Sequence, residues 1–318
     1  MKILHVNFSD SYGGAAIAVM RIHKLLLKNK IDSNLLVSDQ MSNELKTFSI
    51  NKTSEKLKNI IKGSISRNLR FFFKSKNKAT HSINLLPSNL LSEINKFNAD
   101  IVNLHWIGNE IISLKNISLI KCPIVWTLLD MWPFLGTEHY SNNSRYIEGY
   151  TKQNRDLNEK GFDLNKWNWN RKLKYFKKNF TVVSPSDWLS EKAKESYLFK
   201  DKEIEKIHYP LDISEWQPVN KGSAKEILNV NPSKKLILFG AIDGHLNHRK
   251  GFDLLMKSIP VFKRSSFIFG KFFPKFDICF FSDPRQWSKL LMEKLLMNII
   301  FLLFLNCYLF IVKKIIFF

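Results

Sequence analysis

The sequence predicts an α/β protein built on a doubly wound parallel sheet. Three observations predict it. Short apolar runs alternate with amphipathic stretches as far as about Leu255, a glycine pair follows the first run, and chemically active residues collect just after later runs. An open parallel sheet produces this order, with helices on both faces and ligands at the carboxyl ends of its strands.

The elements follow in turn. Lys2 to Val6 is a strand ending in polar Asn7, Ser9 and Asp10; Met1 to Phe8 is too short and too polar for a signal peptide. Gly13-Gly14 then open a helix whose Ala15, Val19, Ile22, Leu25 and Leu26 recur three or four apart. Asn34 to Val37 is a second strand. Leu90 to Phe97 reads as a helix, Asp100 to Leu104 as a buried strand, Ile111 to Ile120 as a helix and Pro123 to Leu128 as a strand. Helices at Arg171 to Lys178 and Asp187 to Tyr197 flank a strand at Phe180 to Val183. Around Pro210 to Pro218 the chain becomes a proline-bounded connector carrying Asp212, Glu215 and Trp216. A second unit then begins with helix Ala224 to Leu228, strand Leu236 to Phe239, a polar loop and helix Gly251 to Ser258. The expected organisation is a Rossmann-like domain over 1–215, the start of a second one over 216–261, and an aberrant hydrophobic tail over 262–318.

Composition narrows the partners. A chain of 318 residues suits two domains. Its 49 basic against 28 acidic residues give a net charge of +21, which favours an anionic partner. Cys122, Cys279 and Cys307 have neither metal-ligand spacing nor a disulfide framework, which fits a reducing cytosol. Residues 41–80 carry ten Lys/Arg against Glu44 and Glu55, interleaved with Leu57, Ile60, Ile61 and Phe71 to Phe73. Such a segment suits peripheral contact with an anionic membrane, at the inner face of the cell membrane; a solvated insertion is the alternative. No nucleic-acid-binding signature accompanies the charge, so no specific nucleic acid is expected.

Four places carry chemistry. Gly13 and Gly14 at a helix start expose backbone amides and the positive helix end to phosphate, although a tight turn would use the same residues. His105 and Trp106 end a strand, where a histidine either faces a ligand crevice or packs with a hydrogen bond. From Trp126 to Tyr150 acids, aromatics and a histidine crowd one loop: Asp130, Trp132, Phe134, Glu138, His139, Tyr140, Arg145 and Tyr146. Aromatic faces with carboxylates suit sugar rings. A metal site is not expected there, because Asp130, Glu138 and His139 lack helical ligand spacing. Finally His248-Arg249-Lys250-Gly251 places cations between a strand and a helix, as a diphosphate site or as solvent-facing charge.

Together these stretches resemble bacterial family-4 glycosyltransferases of the GT-B fold, the type that builds capsules and exopolysaccharides. The matching residues are Ser11 to Ala16, Asn103 to Trp106, Thr127 to Phe134, Glu138 to Tyr140, Arg145-Tyr146, Phe162 to Trp167, Val183 to Ser186, and Phe239-Gly240 through Arg249 to Phe252. They run in order over about residues 1–258. The resemblance implies two Rossmann-like domains, a nucleotide-sugar donor, a polysaccharide or lipid-linked acceptor, and retaining transfer without a metal or other cofactor. By position, Gly13 and Gly14 would lie by the donor phosphate, and Lys250 with Arg249 would neutralise the departing diphosphate. His105 and Asp130 would serve catalysis, Asp130 by gripping a sugar hydroxyl, with Trp132, Glu138, His139 and Arg145 on the acceptor side.

Two departures stand out. Leu129 occupies the position where many members carry a histidine. The glutamate pair with seven intervening residues that holds the donor is missing, since Glu293 is the sole glutamate after Ile227. Half of the 26 phenylalanines fall after residue 261. Leu295 to Val312 is an apolar run long enough to approach a membrane span of about 20 residues. A C-terminal anchor and out-of-frame translation of AT-rich DNA both fit the tail; the resemblance stops inside a helix, which favours the second. The expected function is a glycosyltransferase lineage, impaired in this chain, or a non-catalytic remnant or membrane-surface module.

Overall fold

The computed structural model describes residues 1–50, 73–74, 77, 79–157, 159–227, 235–241, 248–258 and 276–281. The middle of the basic segment, the apolar run Leu295 to Val312 and most of the 262–318 tail lie outside the described residues. The chain forms two compact units, Met1–Pro210 and Leu211–Phe318.

The first unit is the expected α/β sheet. Its strands are β1 (Lys2–Ser9), β2 (Asp32–Asp39), β3 (Thr47–Ser49), β5 (Ile101–Leu104), β6 (Ile124–Thr127), β8 (Thr181–Ser184) and β9 (Ile204–Lys206), with order β3-β2-β1-β5-β6-β8-β9. Every neighbouring pair is parallel. The order runs outward from β1 in one direction and then in the other, so β1 and β5 flank the topological switch point where such sheets bind ligands. A separate antiparallel pair joins β4 (Phe73–Lys74) to β7 (Lys160–Gly161).

The helices are α1 (Gly13–Lys28), α2 (Leu90–Lys96), α3 (Leu114–Ser118), α4 (Arg145–Glu148), α5 (Leu164–Tyr175) and α6 (Asp187–Glu195). Helix α1 buries Ala16, Ala18, Val19 and His23, a stripe that shares Val19 with the expected one but is rotated from it, and Leu25 is 40% exposed. The rotation follows from His23. Its Nε2–H donates to the Leu45 carbonyl at 2.8 Å, and its Nδ1 accepts from the Ser33 hydroxyl at 2.7 Å, so a polar side chain is buried at little cost. Helix α3 is shorter than the periodicity predicts. Ser113 caps it by accepting from the Asn116 amide, while Asn109 and Glu110 adopt positive φ and leave Ile111 and Ile112 as buried loop residues. Helix α5 starts well before Arg171, because Asp163 caps it through the Lys166 amide.

The core lies between sheet and helices. Trp126 is fully buried, with Phe176, Phe180, Phe199 and Trp132 around its ring at centroid distances of 5.3 to 6.5 Å. These aromatic contacts tie β6 to the end of α5, the start of β8 and the segment after α6.

In the second unit α7 (Lys221–Ile227) precedes β10 (Lys235–Gly240), a 3-10 turn at His248–Lys250 and helical residues 252–258. Strand β11 (Phe276–Phe281), within the stretch expected to be aberrant, pairs in parallel with β10 from Lys235↔Phe276 to Gly240↔Phe281. Among the described residues no helix is long and apolar enough to cross a membrane.

Candidate functional site

At the carboxyl end of β1 the chain turns into α1 with no side-chain cap and no acidic residue in the first turn. Gly13 has φ +87, a conformation that favours glycine, and a Cβ built on Gly13 or Gly14 would meet nothing within 4 Å. Among the described residues, nothing therefore crowds the positive end of this sixteen-residue helix. Asp10 holds the neighbouring loop in place. It accepts from the amides of Met41 and Ser42 at 2.9 Å and from the Ser42 hydroxyl at 2.6 Å. Burial would raise its pKa, but bonds from Ser42, Met41 and Ser11 outweigh that and hold the carboxyl below its ordinary value.

Beneath this turn the ends of β1 and β5 are locked together. Trp106 donates its amide to Asn7 Oδ1 at 2.9 Å, and its carbonyl accepts from the Phe8 amide at 2.9 Å. His105 is not placed to touch a substrate: it is 3% exposed, and its Nε2 lies 2.9 Å from His5 Nδ1. Burial first lowers both pKa values, His5 to about 3 with His23 as the second cause and His105 with His5 as the second, so the pair is neutral.

The loop after β6 is a dense network around Asp130. Segment 80–82 lies antiparallel against 137–139, with Ser82 N–H donating to the Thr137 carbonyl at 2.8 Å and His139 N–H to the Thr80 carbonyl at 2.9 Å. This brings three distant residues into line. Ser82 Oγ is 2.8 Å from His139 Nε2, and His139 Nδ1 is 2.5 Å from Asp130 Oδ2. Trp106 Nε1 donates to the same Oδ2 at 3.0 Å, and the Trp132 amide donates to Oδ1 at 2.9 Å. The Asp-His-Ser order matches a nucleophilic triad, but the site is sealed against that chemistry. Ser82 is 1% exposed, and a Cβ on Gly108 would lie 2.7 Å from its Oγ.

Helix α5 supports this loop with a polar face, which is why its start was hidden from an apolar periodicity. Asn165 Oδ1 accepts from the amide and hydroxyl of Thr137, and Asn168 Nδ2 donates to the Gly136 carbonyl at 3.0 Å. Lys172, fully buried, donates to the carbonyls of Trp132, Leu135 and Gly136 and lies 4.0 Å from the Trp132 ring centroid. Burial pushes its pKa down, while three acceptors match the three hydrogens of an ammonium. Glu110 pins segment 83–86 from the other side, accepting from the amides of Ile83, Asn84 and Leu85. The sequence alone points to none of Ser82, Glu110, Asn168 and Lys172, and Asn165 enters only within the matching stretch Phe162 to Trp167. Their one signal was polar residues in otherwise core-like stretches.

Several expected acceptor-side residues turn out to be internal. Trp132 is 2% exposed, stacks on His139 at 5.9 Å and donates its indole N–H to the Ser82 carbonyl, so it offers no face to a sugar. Arg145 is buried and engaged by Asp163, Asn154 and the Thr151 carbonyl, clamping the loop that precedes α5. Glu138 is buried too, and burial raises its pKa. The aromatics that do reach the surface near Asp130 are half-buried: Trp106, Tyr140, whose hydroxyl reaches the Leu129 carbonyl, and Tyr209, whose hydroxyl donates to the Leu128 carbonyl at 2.7 Å. Among the described residues no group of three or more His, Cys, Asp or Glu side chains could hold a metal ion.

In the second unit the 3-10 turn leaves His248, Arg249 and Lys250 exposed, and Gly251 follows with φ +73. His248 Nδ1 is 3.3 Å from Asp253 Oδ2.

No protein-family model and no curated protein matches the chain. Solved structures do resemble it. A glycosyltransferase from Rickettsia africae ESF-5 superposes with a TM-score of 0.47 at 13% identity, covering 92% of this chain and 65% of its own. Anabaena Alr3699/HepE, in complex with UDP, gives 0.39 at 11% identity, with 76% of this chain and 54% of that one. A ugt transferase from Siraitia grosvenorii, also in complex with UDP, gives 0.35 at 9%, with 76% and 56%. The chain thus spans less than two thirds of the length of each.

Proposed function

We propose that this chain is of glycosyltransferase lineage, taking a nucleotide-sugar as donor and a polysaccharide or lipid-linked glycan as acceptor, with retention at the anomeric carbon. One observation carries the reading. At the carboxyl end of the first unit's sheet, a helix end suited to phosphate and clear of other described residues accompanies a carboxylate, 7% exposed, ringed by half-buried aromatics. Asp130 grips a sugar hydroxyl, and Gly13 and Gly14 admit a phosphate to the main chain. The second unit by itself offers Arg249 and Lys250, a cationic turn that suits a diphosphate leaving group. Contact with an anionic membrane surface through the basic segment would bring a lipid-linked acceptor within reach.

A second reading is a non-catalytic glycan-binding module, in which Asp130 and the half-buried aromatics beside it hold the acceptor without transfer. One experiment separates the two. The full chain is mixed with oligosaccharide and lipid-linked acceptors and a panel of uridine and guanosine diphosphate sugars, and both nucleotide release and acceptor binding are followed. Transfer that Asp130→Asn lowers at least about tenfold supports the enzyme. Acceptor binding that is weakened by Asp130→Asn, without turnover, supports the module. Neither binding nor turnover refutes both.

A further inference from the structure

We infer that Ser82 is a positioning residue for Asp130, acting through the tautomer of His139. The role rests on the proposed grip of Asp130 on a sugar hydroxyl. Three hydrogen bonds determine the arrangement. The Asn109 amide donates to Ser82 Oγ at 2.9 Å and takes one of its two lone pairs. The Asp130 carboxylate beside Nδ1 calls for a hydrogen there, so the Ser82 hydroxyl points its own hydrogen at His139 Nε2, 2.8 Å away. With Nε2 accepting, a neutral imidazole carries its hydrogen on Nδ1, and that hydrogen faces Asp130 Oδ2 at 2.5 Å. The Trp106 indole, 3.2 Å from His139 Nδ1, then finds no lone pair there and gives its hydrogen to Oδ2 instead.

The count at the carboxylate has a consequence. Asp130 receives His139 Nδ1–H and Trp106 Nε1–H at Oδ2 and the Trp132 amide at Oδ1. Of roughly four acceptor positions on a carboxylate, one remains, on Oδ1. By holding His139 in the form that gives its Nδ1 hydrogen to Oδ2, Ser82 supports the choice of which carboxylate oxygen takes a hydroxyl. If the histidine held its hydrogen on Nε2, Trp106 would be free to turn to Nδ1. Oδ2 would then compete for the same ligand hydrogen, and the orientation of the bound sugar would be lost. The surroundings leave little slack for that rearrangement: a Cβ on Gly108 would sit 2.7 Å from Ser82 Oγ and 3.0 Å from His139 Cε1, and the Trp132 indole is tied to the Ser82 carbonyl at 2.8 Å.

Long-range nitrogen-15 correlation spectra of the full, uniformly labelled chain test the inference, with the His139 signals assigned by their loss in His139→Gln. The expected wild-type pattern is a protonated Nδ1 and a bare Nε2. In Ser82→Ala the Nε2–H form should gain population, and affinity for an oligosaccharide acceptor, read by titration, should weaken about tenfold while circular dichroism stays native. A wild-type Nε2–H tautomer overturns the inference without recourse to any variant. So does a Ser82→Ala chain that keeps both the Nδ1–H form and wild-type affinity. If the wild-type chain binds no glycan, the sugar-binding reading of Asp130 fails, and the tautomer still decides whether Ser82 controls His139.

Discussion

The β1–α1 turn and the loop after β6 lie on the same edge of one sheet, yet they are built in opposite ways. At Gly13 and Gly14 there is no side chain, no cap and no neighbour within 4 Å of a built Cβ. At Asp130 almost every polar atom already has a partner, and the supporting side chains are buried. The difference teaches what each mode of recognition requires. Main-chain amides are rigid already, so a site made from them needs only clear space. A carboxylate must be aimed, so a site made from one needs a surrounding frame, here drawn from residues 82, 106, 132, 139 and 172.

The comparison breaks most visibly at Lys172. Replacing it with Met leaves the carbonyls of Trp132, Leu135 and Gly136 without their buried donor, and we expect a loss of about 3 kcal/mol or more in urea unfolding. A change under about 1 kcal/mol would mean that the crowded loop does not depend on its frame.

Acid tests the region between the two sites. His5 and His105 are held neutral in the fold, whereas an unfolded histidine takes up a proton near pH 6.5. Below that pH the unfolded chain binds more protons than the folded one. Stability should therefore fall as pH drops from about 6.5 toward 3, by up to roughly 1.4 kcal/mol per pH unit for each histidine. Urea midpoints at three pH values across this range read the slope, and a His5→Gln chain should show a shallower one. An identical slope in the variant would remove His5 from the account.

The smallest effect on stability is expected at the open turn. Gly13→Ala meets no atom, but its φ of +87 costs a side-chain-bearing residue about 1 kcal/mol. The same change should weaken nucleotide-sugar binding more than it weakens the fold, because the new methyl occupies the approach to the amides. Equal affinity for donor in wild type and variant would show that phosphate does not come close there.

How much of this was legible depended on which face of an element touched the core. Strands β1, β2, β5, β6 and β8 announced themselves as apolar runs, and with α1 they were enough to give the sheet. Helix α5 was seen only in its second half because Asn165, Asn168 and Lys172 interrupt Leu164 and Trp169 on its inward face, and apolar periodicity cannot register them. Strand β9 escaped because an edge strand of three residues, two of them charged, has no pattern to show. The loop from Trp126 to Tyr150 stood out by composition, and Asp130 and His139 do meet there. Among the aromatics named from sequence, Trp132 is buried in packing, while Trp106 and Tyr140 are partly open. Ser82 could not be found from sequence, because its meaning comes from a bridge to His139, 57 positions away.

The central place of β1 has a cost during translation. Ile3 pairs with Ile101, which emerges 98 residues later (101 − 3). At roughly 5–20 residues per second, one flank of the first strand waits about 5–20 s on the ribosome before its second neighbour exists. During that interval the nascent chain carries a bare row of peptide groups that another nascent copy could fill.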